Sequence, residues 1–177
     1  RLLDLGCGAA DVTIRFTKAF PAVTAVGVDG SEAMLRLGRR HIQEAGLESR
    51  ITLERRYLPD PSLEKHGFDA AISNSLLHHM ADPATLWRSA AGSVRPGSPV
   101  LIVDLLRPPD HETAVQLVAQ HASGAPPILQ RDFIASLHAA YTAEEVRRQL
   151  IAAGLPGFQV KEVDDIHFVA WGVTARE

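Results

Sequence analysis

The sequence predicts an α/β fold, a doubly wound parallel sheet with helices on both faces. Two observations carry that expectation. Short apolar runs alternate with stretches of helical period from Leu2 to about Leu105, and such alternation implies βαβ crossovers, which are right-handed and place helices on both sides of a sheet. The first apolar run leads straight into a glycine-rich turn, LLDLGCGAAD over residues 2–11, and the second closes on an acid and a glycine, AVGVDG over 25–30.

The elements follow in order. Leu2 to Leu5 forms the first strand. A helix from about Ala10 to Phe20 shows Val12, Phe16, Ala19 and Phe20 at helical spacing, and Pro21 ends it. Val23 to Asp29 is the second strand. Ser31 is suited to cap the next helix, whose apolar positions Met34, Leu37, Ile42 and Ala45 repeat until Gly46 stops it. Arg50 to Glu54 is the third strand, followed by a loop punctuated by Tyr57, Pro59 and Pro61. Phe68 to Ser73 is a fourth strand, apolar enough to be buried on both faces. Asp82 and Pro83 open a helix carrying Leu86, Trp87, Ala90, Ala91 and Val94, and Arg95-Pro96-Gly97 closes it. Val100 to Leu105 is a central fifth strand.

Beyond Leu105 the alternation breaks. Two helix-like pieces, about 112–122 and 132–141, are separated by Gly124, Pro126 and Pro127. Residues 108–141 are therefore expected to form a helical insert, either a lid over the carboxyl edge of the sheet or packing on its flank. Thr142 and Glu145 make a capping box for a helix with Val146, Leu150 and Ala153 before Gly154. Phe158–Val163 and Ile166–Val173, joined by Asp164 and Asp165, read as a hairpin. Residues 1–177 show no repeat, linker or low-complexity stretch and are expected to be one domain.

The chemistry is concentrated at the first turn. Gly6 and Gly8 reach positive φ without steric cost and carry no Cβ, so a ligand can approach the main chain closely, and the helix that follows adds its unpaired N–H groups at the same spot. Asp29 stands about 20 residues past that turn, where a nucleotide-binding fold grips ribose hydroxyls. The nicotinamide fingerprint G-x-G-x-x-G is not completed, because Asp11 holds the third glycine position, and a P-loop would need the Gly-Lys-Ser/Thr that is missing here. A turn acidic at Asp4 and Asp11 and free of cations suits a ligand without phosphates, one able to bear positive charge. S-adenosylmethionine has that character.

LDLGCG, then VGVDGSEAML, then FDAAISNSLLHHMADP together resemble the class I S-adenosylmethionine-dependent methyltransferases, over nearly the whole chain. The resemblance implies a Rossmann-like sheet of order 3-2-1-4-5-7-6, with the last strand antiparallel beside the fifth. It places Asp4, Gly6 and Gly8 around the methionine part of the cofactor, Asp29 at its ribose, Gly30 and Met34 along its adenine, and Asn74 beside the methionine tail. One departure stands out. Where the family often has Gly-Asp after the third strand, the acid taking the adenine amino group, this chain has Arg55-Arg56. Adenine is then held by backbone, or Arg56 or Tyr57 stacks on it.

Methyl transfer from a sulfonium needs alignment above all, and a general base where the acceptor must lose a proton. His78, His79 and Asp104 fall at the ends of the fourth and fifth strands, where the resemblance opens a substrate pocket. His78 is the first candidate base, with a structural hydrogen-bonding role as its competitor. Asp104 joins it as a catalytic candidate, and His79, Arg107 and Tyr141 are candidates for binding substrate. His121 and His138 fall on helical faces and read as structural. No H-E-x-x-H spacing is present, so no metal site is expected.

Composition limits the remaining choices. Of 177 residues, 46% are hydrophobic and 22% charged, the make-up of a globular domain with a sizeable core, and 18 basic against 21 acidic residues give a net charge of -3, which argues against capture of a nucleic-acid backbone. Cys7 is the single cysteine and is read as a small space-filling residue in a reducing, cytoplasmic setting. No apolar run is long enough to cross a bilayer, and no signal peptide is visible. The chain begins inside its first strand, so a segment upstream of Arg1 is left open. The expected function is methyl transfer to a small-molecule acceptor. A cofactor-binding sensor or scaffold is the alternative, and a nicotinamide oxidoreductase stands behind both.

Overall fold

A computed structural model describes residues 1–63 and 67–175. Its elements run β1 (Leu2–Leu5), α1 (Asp11–Ala19), β2 (Ala25–Asp29), α2 (Glu32–Glu44), β3 (Ile51–Arg55), β4 (Ala70–Asn74), α3 (Pro83–Ser93), β5 (Pro99–Leu105), α4 (His111–His121), α5 (Pro127–Ala139), α6 (Ala143–Ala152), β6 (Gln159–Glu162) and β7 (His167–Val173). A 3-10 turn, Leu77–His79, follows β4. The seven strands form one sheet in the order β3-β2-β1-β4-β5-β7-β6. β1 pairs parallel with both β2 and β4, and β7 lies antiparallel between β5 and β6. The expected topology is the one observed.

Alternation along the strands separates two cores. Leu3 and Leu5 of β1, Val26 and Val28 of β2 and Ala71 of β4 point to one face, where they meet Leu86, Trp87 and Ala90 of α3 and Val146 and Leu150 of α6. Leu2, Ala25 and Ile72 point to the other face and pack with Ile14, Ile42, Leu47 and Ile51 beside α1 and α2. A third cluster joins Leu105 and Ile166 to Ala114, Leu117, Val118 and Leu137, seating α4 and α5 against each other. Because strand order reverses around β1, the carboxyl ends of β1 and β4 open a crevice at the topological switch point, the usual ligand position in doubly wound sheets.

The helix ends follow local chemistry. Ser31 and Asp82 accept hydrogen bonds from the first turns of α2 and α3, and Thr142 and Glu145 form the expected capping box. Three helical details differ from the sequence pattern. The buried side of α1 is Thr13, Ile14 and Thr17, while Val12 and Phe20 are exposed, because Thr13 turns toward the polar side chain of Asp4 on β1. In α2 the buried positions are Leu35, Gly38 and Ile42, and Met34 faces outward. α5 begins at Pro127 instead of about residue 132, since proline at the first helical position lacks only an N–H that the helix could not have used. Among the described residues no helix is long and apolar enough to cross a membrane.

Neighbouring residues of β5 test this layering. Ile102 is fully buried and Leu101 is 38% exposed. Ile102→Ala is expected to lower stability by roughly 2–5 kcal/mol in urea unfolding, and Leu101→Ala by less than about 1 kcal/mol. Equal losses would contradict the assignment of the two faces.

Candidate active site

The glycine-rich turn is held by its own amides. Gly6 and Cys7 donate to the carbonyl of Val28 at 2.8 and 3.0 Å, and the Gly8 amide donates to Asp29 Oδ2 at 2.9 Å. These N–H groups, expected to approach a ligand, are thus engaged with β2. Gly6 and Gly8 both take positive φ, 73° and 52°. A Cβ at Gly6 would also lie only 2.8 Å from the side chain of Leu76, so glycine is required there both by conformation and by packing. Cys7 is buried with its Sγ against Gly27, as a space-filling residue would be, and burial pushes its thiol well above the usual range.

Asp29 closes the other side. Its Oδ1 accepts from the Ser31 amide at 2.8 Å while Oδ2 holds Gly8. Each carboxylate oxygen can accept twice, so both retain capacity for hydroxyl groups. Asp4 lies deeper, 1% exposed, and accepts from the Thr13 hydroxyl at 2.5 Å. Burial, opposed by that hydrogen bond and reinforced by Asp29, raises its carboxyl from 3.8 to about 6.

Two lobes meet at this point, sharing Gly6, Asp29 and Leu76. The first is an apolar slot of about 210 Å³ walled by Val28, Gly30, Tyr57, Leu58 and Met80, with Arg56 at its edge. The Tyr57 ring lies so close over Gly30 that a Cβ there would approach it to 2.7 Å. Arg55 fixes that ring, donating to the Tyr57 hydroxyl at 2.8 Å and to the Gly30 carbonyl at 3.2 Å. Arg56 does not stack freely, because Glu54, Asp60 and Ser62 all accept from its guanidinium. Ser62 and then Arg56 hold the Asp60 carboxyl down to about 2. The second lobe, about 350 Å³, contains Asp4, Asp11, Asp29, Met34, Asn74, Ser75 and His79 along with the turn, and among the described residues neither lysine nor arginine lines it.

The residues after β4 form the remaining wall. Ser75 adopts φ 58°, uncommon for a residue with a Cβ, and the Asn74 amide donates to its hydroxyl at 3.1 Å. The two histidines then diverge. His78 is buried, its Nδ1 donating to Asp104 Oδ1 at 2.6 Å, and Asp104 also accepts from the Leu77 and Leu105 amides. Asp104 is therefore enclosed, and its geometry is that of a group orienting His78. His79 is exposed to the second lobe, with its ring 4.0 Å from that of His78. Burial and then the neighbouring His78 keep the His79 imidazolium less favourable than usual. The histidine at the cleft is thus His79, whereas His78, the candidate base by sequence, stands behind it.

Arg107 and Tyr141 line neither lobe. Arg107 donates to Glu145 and to the carbonyl of Ala140, tying β5 to the cap of α6. Tyr141 forms a β-bridge with Leu106 and packs on the main core. Conversely, sequence reasoning missed Leu58, Leu76, Ser75 and Met80. Leu76 and Met80 sit in the same NSLLHHM segment as the histidines, but one apolar residue in a loop gives no sign of facing a cleft.

A family model described as a methyltransferase domain matches residues 2–97. The chain belongs to this methyltransferase-domain family. A ubiquinone biosynthesis O-methyltransferase of Bordetella avium is 35% identical over 112 residues, which are 62% of this chain and 44% of that protein. The chain thus spans less than half the length of that curated relative. The family fold extends through the rest of the chain. A SAM-dependent methyltransferase from Aquifex aeolicus, 17% identical, aligns over 98% of this chain and 81% of its own with a TM-score of 0.71. The plantazolicin methyltransferase BpumL, solved with a pentazolic desmethylPZN analog and SAH, is also 17% identical and aligns over 99% and 76% with a TM-score of 0.75.

The raised carboxyl of Asp4 makes this member of the family sensitive to pH. The folded state holds the Asp4 proton more tightly than the unfolded chain, so stability falls as pH rises from about 4 to about 6 and the cost is complete above that. Asp4→Asn is expected to gain stability relative to the parent across that window, on the order of 2–3 kcal/mol. Urea unfolding at several pH values measures it, and a difference between the two proteins that does not change with pH would contradict the burial argument.

Proposed function

We propose that the cleft binds S-adenosylmethionine and that the chain, as one domain, directs its methyl group to a small-molecule oxygen or nitrogen acceptor by direct displacement. The observation that carries this reading is the second lobe, where Asp4, Asp11 and Asp29 converge without a lysine or arginine among the described residues. An anionic lobe favours a ligand bearing ammonium and sulfonium charge and disfavours a pyrophosphate. The adjoining slot, apolar and capped by an aromatic ring, suits a flat heterocycle, and Asp29 lies between the two lobes where a ribose would join the halves. The residues present therefore fit an adenosyl sulfonium, and they fit a dinucleotide poorly.

When bound, the cofactor supplies a methyl group already activated on positively charged sulfur. The chain's task is orientation, which can lower a barrier by up to about 7–11 kcal/mol. Asp29 fixes the ribose through the lone pairs that Gly8 and Ser31 leave free. Tyr57, strapped by Arg55, holds the ring in its slot in place of the absent acid, while Met34 lines the second lobe. His79 faces the lobe, and burial followed by the neighbouring His78 disfavours its imidazolium, so a ring nitrogen can receive the acceptor's proton, a contribution of roughly 100- to 10,000-fold. Asp104 and His78 hold the turn that presents it. The O-methyl transfer named for the Bordetella avium relative supports an oxygen acceptor.

Titration calorimetry with S-adenosylhomocysteine tests the reading. Saturable one-to-one binding is expected, weakened roughly 10- to 100-fold in Asp29→Ala, which loses charge-assisted hydrogen bonds to the ribose. Absence of saturable binding by the folded chain would overturn the proposal, and unchanged affinity in Asp29→Ala would misplace the site.

A further inference from the structure

Away from the cleft, α4 and α5 bring two histidines together that lie 27 residues apart in the chain. His111 opens α4 and His138 lies in the last turn of α5. Their facing nitrogens, Nδ1 of His111 and Nε2 of His138, are 3.0 Å apart, and the rings lie within 14° of parallel. Both side chains are exposed. Beneath them Ala114, Leu117 and Leu137 pack the two helices together, so the pair is held by a core and not by a flexible loop.

We propose that His111 and His138 form a two-ligand site for a divalent transition-metal ion such as Cu²⁺, Ni²⁺ or Zn²⁺. The geometry matches that use. Two imidazole nitrogens bound to one ion at about 2.0–2.1 Å, at angles between square-planar and tetrahedral, stand about 2.8–3.4 Å apart. The observed spacing falls inside that range, and turning each ring off the line between the two nitrogens would aim both lone pairs at a common point. In the metal-free protein one N–H lies between the facing nitrogens; on metal binding that proton moves to the other nitrogen of the donor ring, so both imidazoles stay neutral and each turns a lone pair to the ion. The carboxyl end of α5 places its partial negative charge near His138, which favours a cation there. Glu112 and the capping Asp110 offset the opposite charge at the start of α4. Among the described residues no group of three or more histidine, cysteine, aspartate or glutamate side chains is arranged around a metal position. The site would thus have two protein ligands and its remaining positions open to water, and the ion would staple α4 to α5.

The test uses the full chain and the metal salts alone. Cu²⁺, Ni²⁺ and Zn²⁺ are titrated separately into the parent, His111→Ala and His138→Ala, with thermal melts of each protein with and without metal. The proposal expects each variant to bind one equivalent fewer of the most tightly held ion, Cu²⁺ by the Irving–Williams order. It also expects saturating metal to raise the melting temperature of the parent more than that of either variant. His121→Ala, whose imidazole pairs with Asp165 across the fold, is expected to keep the parent's stoichiometry. Metal-free melts close to the parent's would show that the variants fold. Equal stoichiometry in parent and both histidine variants, or no saturable binding of any of the three ions, would overturn the proposal.

Discussion

The clamp between Asp29 and the first turn is the contact on which the site depends. One carboxylate receives the amide of Gly8 from the β1 turn and the amide of Ser31 at the start of α2. It therefore sets the distance between two adjacent strand ends and the orientation of the helix that follows the second. The Val28 carbonyl reinforces it from the same strand by taking the amides of Gly6 and Cys7. With these donors occupied, the turn offers a ligand its glycine Cα faces and the unused lone pairs of an acid. That is a surface for hydroxyl groups and cations, unlike a nest of free amides built for phosphate.

Electrostatics then sort the crevice into two halves. Asp4, walled in by β1 and α1, is costly to ionise and is made more so by Asp29 nearby. The same burial that raises its carboxyl would strengthen its attraction to a cation brought within reach, because little water screens the pair. Among the described residues arginine lines only the other half, and the arginines there are held by local partners. Arg56 is bound by Glu54 and Asp60, and Arg55 is spent on Tyr57 and the Gly30 carbonyl. Where the resemblance expects an acid, the Arg55-Arg56 pair thus leaves a tyrosine ring held in place over Gly30.

Much of the fold was legible because it rests on local signals. Strand alternation, the caps at Ser31, Asp82 and Thr142, and the glycines ending α2 and α6 are each written within a few residues of sequence. The antiparallel β7 came from resemblance, since a hairpin signal alone does not say where the hairpin docks. The grouping of Asp4, Gly6, Gly8, Asp29, Gly30 and Met34 was implied by the resemblance, and the structure sets Gly30 in the apolar slot and Met34 in the second lobe instead of side by side. What local pattern could not supply was direction. His78 and His79 are adjacent and chemically identical, and only the 3-10 turn, with Asp104 receiving the Leu77 amide, decides which one is buried. Likewise Val12 and Phe16 outrank Thr13 by hydrophobicity, yet a buried acid on the neighbouring strand draws the threonine inward.

The central claim is that the buried Asp4 carboxyl belongs to a lobe shaped for a cationic ligand. Carbon NMR titration of Asp4, in the free protein and saturated with S-adenosylhomocysteine, addresses it most directly. The account predicts a value near 6 in the free protein and a clear fall on saturation, as the ligand's ammonium group stabilises the carboxylate. Saturable binding that leaves Asp4 unmoved, or raises it, would contradict the account.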